Sequence, residues 1–390
     1  MTSANGPRIG SLFTGVGGLD LSVLGVLGGH VVWHSQYEPP DKHGRPDAHQ
    51  YAARVLAHHW PDVPNLGDIT AVDWGQVLAD HGPVDVLCGG FPCQDISLAG
   101  KRAGMNSGTR SGLWRHMARA IRELQPQLVI IENTRGLLSA PAHSDVEPCP
   151  WCLGDPEDEP HLRALGAVLG DLAELRLDAE WIGLPASDVG APHERWREFV
   201  LAWPADTPRP RLEDQREGRP GRGPAASADA DYLGGNGPGS CGAGRHEPAD
   251  DDLSAAHAAG HGRREGGAEP ARLGGRSDTA VGGAPAWGAY EGAIRRWEHV
   301  LGRPAPRPVD DRGRLAPDLP EWMMGYPAGH ITAVPPAPGM TPSQLRNARL
   351  KATGNGVVIQ QGAAAIRLLL ARTPELTPWT TIHPTPRDPR

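Results

Sequence analysis

A cysteine stands directly after a proline in the stretch GGFPCQDIS, residues 89–97, which follows the apolar run VDVLC. The proline stiffens the backbone, so we expect the turn to hold the Cys93 thiol on a loop. A thiol becomes a strong nucleophile when a turn or nearby cations lower its pKa, and Lys101 and two arginines follow shortly after. Cys88, inside the apolar run, is expected to be a small buried side chain. Taken alone, Cys93 fits a structural cysteine as well as a nucleophile.

Two further stretches carry groups that could act on the same substrate as Cys93. Glu132 and Asn133 end the apolar run QLVIIEN, where partial desolvation is expected to raise the carboxyl pKa and keep the group protonated. GAPHERWREF places Arg195 and Arg197 on one face of an extended segment. A thiol, a neutral carboxylic acid and an arginine fork suffice to attack and hold a pyrimidine ring. This combination favours the nucleophile interpretation.

The stretch SLFTGVGGLD, residues 11–20, lets a strand turn sharply at glycines and approach a ligand closely. By itself it is equally a plain glycine turn. Glu38 follows at the next predicted strand end and suits a ribose diol. Asp68 in LGDIT could accept from an adenine amine while Ile69 packs on the ring. Glycines and acids at successive strand ends predict an adenosine site. The glycine loop does not end in Gly-Lys-Ser/Thr, and this argues against a triphosphate as the ligand.

These residues need a scaffold, and the first 203 residues alternate between predicted strands and helices. RIGSLF, VDVLCGG and QLVIIEN read as strands, while SGLWRHMARAIRELQP and HLRALGAVLGDLAEL have helical spacing. DAEWIGL and REFVLAW read as strands with no helix between them, which predicts an antiparallel pair. The pattern indicates an α/β fold, an open and mostly parallel Rossmann-like sheet with helices on both faces.

The composition changes over residues 205–285, where Gly, Pro, Ala, Arg and Asp dominate and large apolar residues almost vanish. We expect much of this stretch to be flexible, because burying so little apolar surface cannot offset the entropy lost when the chain is ordered. Helical spacing returns over 287–301, and the tail ends in a helix before a proline-rich end. The predicted face of that 287–301 helix consists of Trp287, Tyr290, Ile294, Trp297 and Leu301.

Charge and cysteine usage limit the class of protein. The net charge of -8 argues against a polyanion binder that works by bulk charge, although a local basic patch remains compatible with it. The five cysteines are irregularly spaced, the start resembles no secretory signal, and no apolar run reaches the roughly 18 residues that span a bilayer. We therefore expect a soluble, cytoplasmic protein that makes no membrane contact.

Cys149 and Cys152 in EPCPWCLGDPEDEPH have the spacing of half a zinc site. His143 or His161 could complete it, but one pair without a second favours a surface loop with two free thiols. We assign no metal site. Cys241, among glycines, is interpreted as an incidental exposed thiol.

Several of these stretches together resemble the motifs of DNA (cytosine-5)-methyltransferases. FTGVGGLD, GDI, GGFPCQDIS, RSGLW, EN, GAPHERWR and GNGVV occur in that family's order and rough spacing, over nearly the whole chain outside the low-apolar stretch. EWMMGYP and the glycine-rich insert are most similar to the phage and actinobacterial branch. The chain departs from the family in having Thr134 after Glu-Asn, His193 where a Gln is usual, and GNGV in place of Gly-Asn-Ser-Val.

The resemblance implies a catalytic, S-adenosylmethionine-binding domain, residues 1–203 plus 313–390, and a smaller target-recognition region, 204–312. It implies that Cys93 attacks carbon 6 of a flipped-out cytosine, while Glu132 and Arg197 bind the ring. Residues 94–110 would form the loop that closes over the base. The residues expected at the S-adenosylmethionine site are Phe13, Gly15, Gly17, Leu19, Glu38, Asp68, Ile69, Pro92, Leu113, Asn355 and Val357.

The partner implied is double-stranded DNA, bound by a monomer in the cytoplasm, at the nucleoid of a prokaryotic or phage-infected cell. A cognate restriction endonuclease is a candidate partner, which gives a role in restriction-modification or in protecting phage or host DNA. Arg102, Arg115 and Arg119 are interpreted either as phosphate contacts or as solvated charges. Two alternatives are a catalytically decayed DNA-binding protein, favoured by the sparse recognition region, and an RNA cytosine-5 methyltransferase.

Overall fold

The computed structural model describes residues 6–41, 43–92, 112–139, 164–207 and 287–380. All of them belong to one compact unit. Most of 204–312 lies outside these ranges, so the predicted division into two domains stays a prediction. The strands are β1 (Arg8–Leu12), β2 (His30–Ser35), β3 (Val86–Gly89), β4 (Leu128–Thr134), β5 (Leu177–Pro185) and β6 (Trp196–Pro204).

These strands form one sheet in the order β2-β1-β3-β4-β6-β5. The first four are parallel, whereas β6 pairs antiparallel with both β4 and β5. The predicted mostly parallel α/β sheet is therefore confirmed, as is the antiparallel pairing of DAEWIGL with REFVLAW. The reversal follows from the short connection between β5 and β6, which holds only a 3-10 turn, whereas a parallel crossover needs a helix.

Strand β3 and the first four residues of β4 are apolar because both faces of the sheet are covered there. Leu87 packs with one hydrophobic cluster, while its neighbours Val86 and Cys88 pack with another on the opposite face. All three side chains are 0% exposed. Burial on both faces explains why these strands read as continuous apolar runs instead of alternating ones.

Eleven α-helices occur in the described part of the chain. They are α1 (Gly18–Leu27), α2 (Tyr51–His59), α3 (Trp74–His81), α4 (Leu113–Leu124), α5 (Gly136–Ser139), α6 (Ala164–Glu174), α7 (Glu291–Leu301), α8 (Asp318–Met323), α9 (Pro342–Asn355), α10 (Ile359–Arg372) and α11 (Thr377–Thr380). Helices α3, α4 and α6 cover one face of the sheet, and α1 and α10 cover the other.

Helix α7 shows where the predicted face was partly wrong. Ile294 and Trp297 are buried, at 4% and 0% exposed, but Tyr290 is 66% exposed. Tyr290 lies in a 3-10 turn that precedes the helix, so the helical spacing that would have turned it inward begins only at Glu291. The Trp297 indole donates to the carbonyl oxygen of Trp322 at 2.9 Å, which fastens α7 to α8.

The segment after α8 is organised around a buried carboxylate. Glu321 is 2% exposed and accepts the backbone amides of Gly329, Ile331 and Thr332, each at 2.7 Å. Three amide donors offset the loss of water around a buried anion. The EWMMGYP stretch is thereby folded back against the cluster that contains Trp322 and Tyr326.

No described helix is long and apolar enough to cross a membrane.

The Glu321 contacts give a stability prediction. Glu321→Gln keeps the size of the side chain but replaces an anionic acceptor by an amide donor, so at least one backbone amide loses its bond. We expect the free energy of unfolding to fall by about 1–3 kcal/mol, measured by urea denaturation. Glu180→Gln, on an exposed position of β5, is the control and should change stability by less than about 0.5 kcal/mol. Equal stability of both variants would contradict the assignment.

Candidate active site

A cavity of about 1000 Å³ opens at the carboxyl ends of β1 to β4. The chain leaves β1 toward β2 on one side, while β3 lies on the other side of β1. Loops after β1 and β3 therefore diverge from each other, and the gap between them is where open α/β sheets bind ligands. The walls come from the ends of all four strands and from the end of α9.

The loop between β1 and α1 approaches other parts of the chain closely. Gly17 has φ of 83°, a left-handed conformation that glycine adopts without strain, and a Cβ there would meet the Trp60 ring at 2.7 Å. A Cβ on Gly18 would meet the Val357 carbonyl oxygen at 2.7 Å. The amide of Gly15 donates to Gln36 Oε1 at 2.7 Å. The glycines thus bring β1, β2 and the Asn355 segment together.

Glu38 is held on the cavity wall by a lysine and a backbone amide. Lys351 Nζ lies 2.9 Å from Glu38 Oε1 and 3.2 Å from Asp47 Oδ2, while the Ala52 amide donates to Glu38 Oε2 at 3.2 Å. The Glu38 side chain is 11% exposed. Because Lys351 lies on α9, this ion pair ties the helix that ends at Asn355 to the carboxylate after β2.

Asp68 reaches the same cavity by a route that differs from the prediction. It does not follow a strand of the sheet; the chain before it makes only an isolated bridge, between Asn65 and His34. Its carboxylate accepts the Thr70 amide at 3.0 Å and begins a 3-10 turn, in which Ile69 is 4% exposed. Both residues line the cavity.

Glu132 and Arg197 form an ion pair in the opposite wall. Glu132 Oε1 lies 2.7 Å from Arg197 Nε, and the side chains are 13% and 14% exposed. Arg197 is paired with Thr134 across the antiparallel β4–β6 ladder, so Glu132 is its diagonal neighbour on the same face. Burial raises the pKa of Glu132, although Arg197 and Arg195 oppose the shift. The direction agrees with the sequence-based expectation.

Arg195 binds the end of α9. Its Nη2 donates to the carbonyl oxygens of Gly354 and Gly356, both at 2.9 Å, and so brackets Asn355. Burial, and next the charge of Arg197, lower the Arg195 pKa to about 10, so the guanidinium stays charged at neutral pH. Both arginines of the predicted fork line the large cavity, but Arg197 pairs with Glu132 whereas Arg195 positions the C-terminal segment.

A second, smaller cavity of about 50 Å³ adjoins the first. Asp20 lines it, 0% exposed, and neither of its oxygens has a hydrogen-bond partner among the described residues. Burial raises the Asp20 pKa from 3.8 to about 6; the Ser11 hydroxyl and its own amide oppose the shift, although neither meets hydrogen-bond geometry with the carboxylate. His34 Nδ1 lies 3.9 Å away, and burial lowers the His34 pKa to about 4.

Comparison with known proteins now bears on this arrangement. The family described as C-5 cytosine-specific DNA methylase matches residues 8–219, more than half of the chain. The chain belongs to this family. Among curated relatives, it is 38% identical over 135 residues to the Type II methyltransferase M.AluI of Cellulosimicrobium cellulans, covering 34% of the chain and 23% of that protein. It is 27% identical over 201 residues to M.HhaI of Haemophilus parahaemolyticus, covering 52% and 50%.

The matched region of the chain therefore spans between about a quarter and a half of the length of these relatives. A solved structure of DNMT2 from Spodoptera frugiperda aligns over 93% of the chain and 99% of its own length, at 12% identity and a TM-score of 0.47.

Most residues that the sequence predicts to bind S-adenosylmethionine line the two cavities. Leu19 and Val357 line only the smaller one, and Gly17 lines neither, because it serves the turn against Trp60. Those on the wall of the large cavity, together with Glu132 and Arg197, are Phe13, Gly15, Glu38, Asp68, Ile69, Pro92, Leu113 and Asn355.

The environments of three residues near the site were not predicted from the sequence. Lys351 is one of only three lysines, and its place shortly before GNGVV was the available signal. Asp20 follows the glycine loop directly, but nothing in the sequence marks it as unpartnered. His193 has Nε2 3.2 Å from the Met323 carbonyl oxygen, so it joins the chain just before β6 to the end of α8.

Several predictions fall on residues outside the described ranges. These are the placement of Cys93, the closing loop 94–110, the pair Cys149 and Cys152, and Cys241. Pro92 is described, and Asn133 Nδ2 donates to the Phe91 carbonyl oxygen at 3.2 Å just before it. Arg115 is exposed, and Arg119 pairs with Glu123 at 2.7 Å on the exposed face of α4, as a solvated helix charge would.

The Asp20 environment predicts a pH-dependent stability difference. A carboxyl whose pKa is about 6 when folded and 3.8 when unfolded favours folding below 3.8, and this contribution is lost as the pH rises through 6. Asparagine does not ionise, so Asp20→Asn does not lose stability at this position as the pH rises. The variant's stability relative to the parent should therefore be higher at pH 8 than at pH 5 by about 1–2 kcal/mol, measured by urea denaturation at both pH values. A difference independent of pH would contradict the buried, unpaired carboxylate.

Proposed function

We propose that this chain transfers a methyl group from S-adenosylmethionine to carbon 5 of a flipped-out cytosine in a specific duplex DNA sequence. The observation that carries the proposal is the position of Glu132 and Arg197, which face the same cavity as Glu38 and Asp68. A pair suited to a pyrimidine and acids suited to an adenosine share one space. Family membership supplies the reaction class.

The described residues fit an adenosine-bearing methyl donor. Glu38 already accepts from Lys351 and the Ala52 amide, but a carboxylate has about four acceptor sites, which leaves capacity for ribose hydroxyls. Asp68 and Ile69 offer an acceptor beside an apolar surface, as an adenine requires. When bound, S-adenosylmethionine supplies an activated methyl group.

Glu132 and Arg197 make the cytosine ring electron-poor. A protonated Glu132 donates to ring nitrogen 3 and also contacts the exocyclic amine, and Arg197 donates to the carbonyl oxygen at carbon 2. The raised pKa of Glu132 favours the protonated form that this role requires. Withdrawing charge from the ring makes carbon 6 open to attack by a thiolate.

Cys93 supplies that thiolate. Its sulfur forms a bond to carbon 6, and the electrons of the 5,6 double bond become available at carbon 5. Carbon 5 would take up the methyl group as the methyl–sulfur bond of the donor breaks, which leaves S-adenosylhomocysteine. Loss of the carbon 5 proton restores the double bond and expels the Cys93 sulfur. The stacked base must first leave the duplex, at a cost of a few kcal/mol. The setting is a prokaryotic cytoplasm, and the role is that of a restriction-modification or protective enzyme.

Bisulfite sequencing tests the whole reaction. DNA from cells that express the chain should contain protected cytosines in one sequence context, and DNA from cells that express Cys93→Ala should contain none. Cys241→Ala, which changes a thiol outside the proposed machinery, is the control and should protect the same cytosines. Unmethylated DNA in all three would leave the decayed DNA-binding protein, while methyl transfer to transfer RNA but not to duplex DNA would favour the RNA enzyme.

Glu132→Gln tests the ring-binding role. Glutamine keeps the size but cannot deliver a proton to nitrogen 3, so we expect kcat for methyl transfer to fall by about 10²- to 10⁴-fold. The KM for S-adenosylmethionine should change less than about two-fold, because Glu132 is proposed to contact the base. Measurement is by tritiated methyl incorporation, with Glu180→Gln as the control. A large rise in KM at unchanged kcat would place Glu132 at the cofactor instead.

A further inference from the structure

Asp20 is a buried carboxylate without a partner in the described part of the chain. It lies in the first turn of α1, is 0% exposed, and has no hydrogen bond at either oxygen. An isolated buried anion is costly and is normally paired. Because the Asp20 carboxylate lies beside a cavity, its partner could be a group of a bound ligand.

The cavity that Asp20 lines is a side chamber of the large one. The two share walls at Phe13, Gly15 and Asn355. The hydroxyls of Ser11 and Thr14 also line the chamber, but they lie 3.0 Å apart and bond to each other. At about 50 Å³ the chamber takes a group the size of an ammonium ion or a water molecule, whose share of liquid volume is about 30 Å³.

The titratable neighbours do not neutralise Asp20. His34 Nδ1, 3.9 Å away, belongs to a ring whose pKa burial lowers to about 4, so it is uncharged at neutral pH. Glu132, the other acid on the chamber wall, is held by Arg197. A single positive charge is therefore what the chamber lacks.

The residues that line each cavity indicate which part of a ligand would lie nearest to the side chamber. Glu38 and Asp68 line only the large cavity, whereas Leu19 and Val357 line only the side chamber. An adenosine at the two acids thus leaves the other end of the ligand at the chamber.

We propose that Asp20 binds the α-ammonium group of the amino-acid end of S-adenosylmethionine and thereby selects for the intact amino acid. The proposal rests on the proposed function, since it needs the adenosine at Glu38 and Asp68. A charge-assisted bond to a desolvated carboxylate gives the enzyme a means of rejecting adenosine thioethers that lack the amine.

Calorimetric binding tests it with three ligands: S-adenosylhomocysteine, its analogue without the amino group, and 5′-methylthioadenosine. The unmodified chain should bind S-adenosylhomocysteine about 10- to 100-fold more tightly than the des-amino analogue. Asp20→Asn should lose that preference yet bind 5′-methylthioadenosine within two-fold of the parent. Ser22→Ala, a buried polar change on α1 that lines neither cavity, should retain the preference.

The outcomes separate the two proposals. If the unmodified chain binds S-adenosylhomocysteine but Asp20→Asn binds it equally well, Asp20 holds only water and the inference is wrong while the function stands. If Asp20→Asn weakens the binding of all three ligands equally, the inference is also wrong, because the substitution has then damaged the whole site. If Asp20→Asn does not fold, the unmodified chain still tests the inference. Equal affinity of that chain for S-adenosylhomocysteine and the des-amino analogue would refute it. Failure of the parent to bind any of the ligands overturns the proposed function and the inference together.

Discussion

The contact between Glu132 and Arg197, 2.7 Å long, joins two strands of opposite direction at the mouth of the large cavity. Because both side chains are mostly buried, removing Glu132 would leave the Arg197 guanidinium without its partner, and the loss of one partner of a buried pair typically costs about 3–5 kcal/mol. The pair exists only if β6 enters antiparallel beside β4 in the observed register. The reversal of direction in an otherwise parallel sheet is thus what delivers an arginine to the end of β4.

The C-terminal segment reaches the same place through separate contacts. Arg195 holds the carbonyl groups on either side of Asn355, and Lys351 on α9 pairs with Glu38. On the other side, Gly18 lies so close to Val357 that no side chain fits between them. Residues more than 300 positions apart in the sequence are thereby held around one space.

Much of this could be predicted from the sequence. The apolar runs of β3 and β4 indicated strands buried on both faces, and the glycines and acids indicated a ligand site. What failed depends on tertiary packing. Tyr290 has helical spacing but precedes α7, and Asp68 reaches the cavity without a strand before it. Whether Asp20 has a partner, or which of two arginines faces Glu132, depends on neighbours that a local pattern does not contain.

The central claim, that Glu132 and Arg197 hold a cytosine for attack by Cys93, is tested most directly by trapping the covalent complex. Duplex DNA whose target cytosine carries fluorine at carbon 5 cannot lose a proton there, so the sulfur cannot be expelled after methyl transfer. With S-adenosylmethionine present, we predict a denaturant-resistant protein–DNA complex whose modified peptide maps to Cys93 by mass spectrometry. The absence of a complex on DNA that the enzyme otherwise methylates, or its attachment to another residue, would contradict the account.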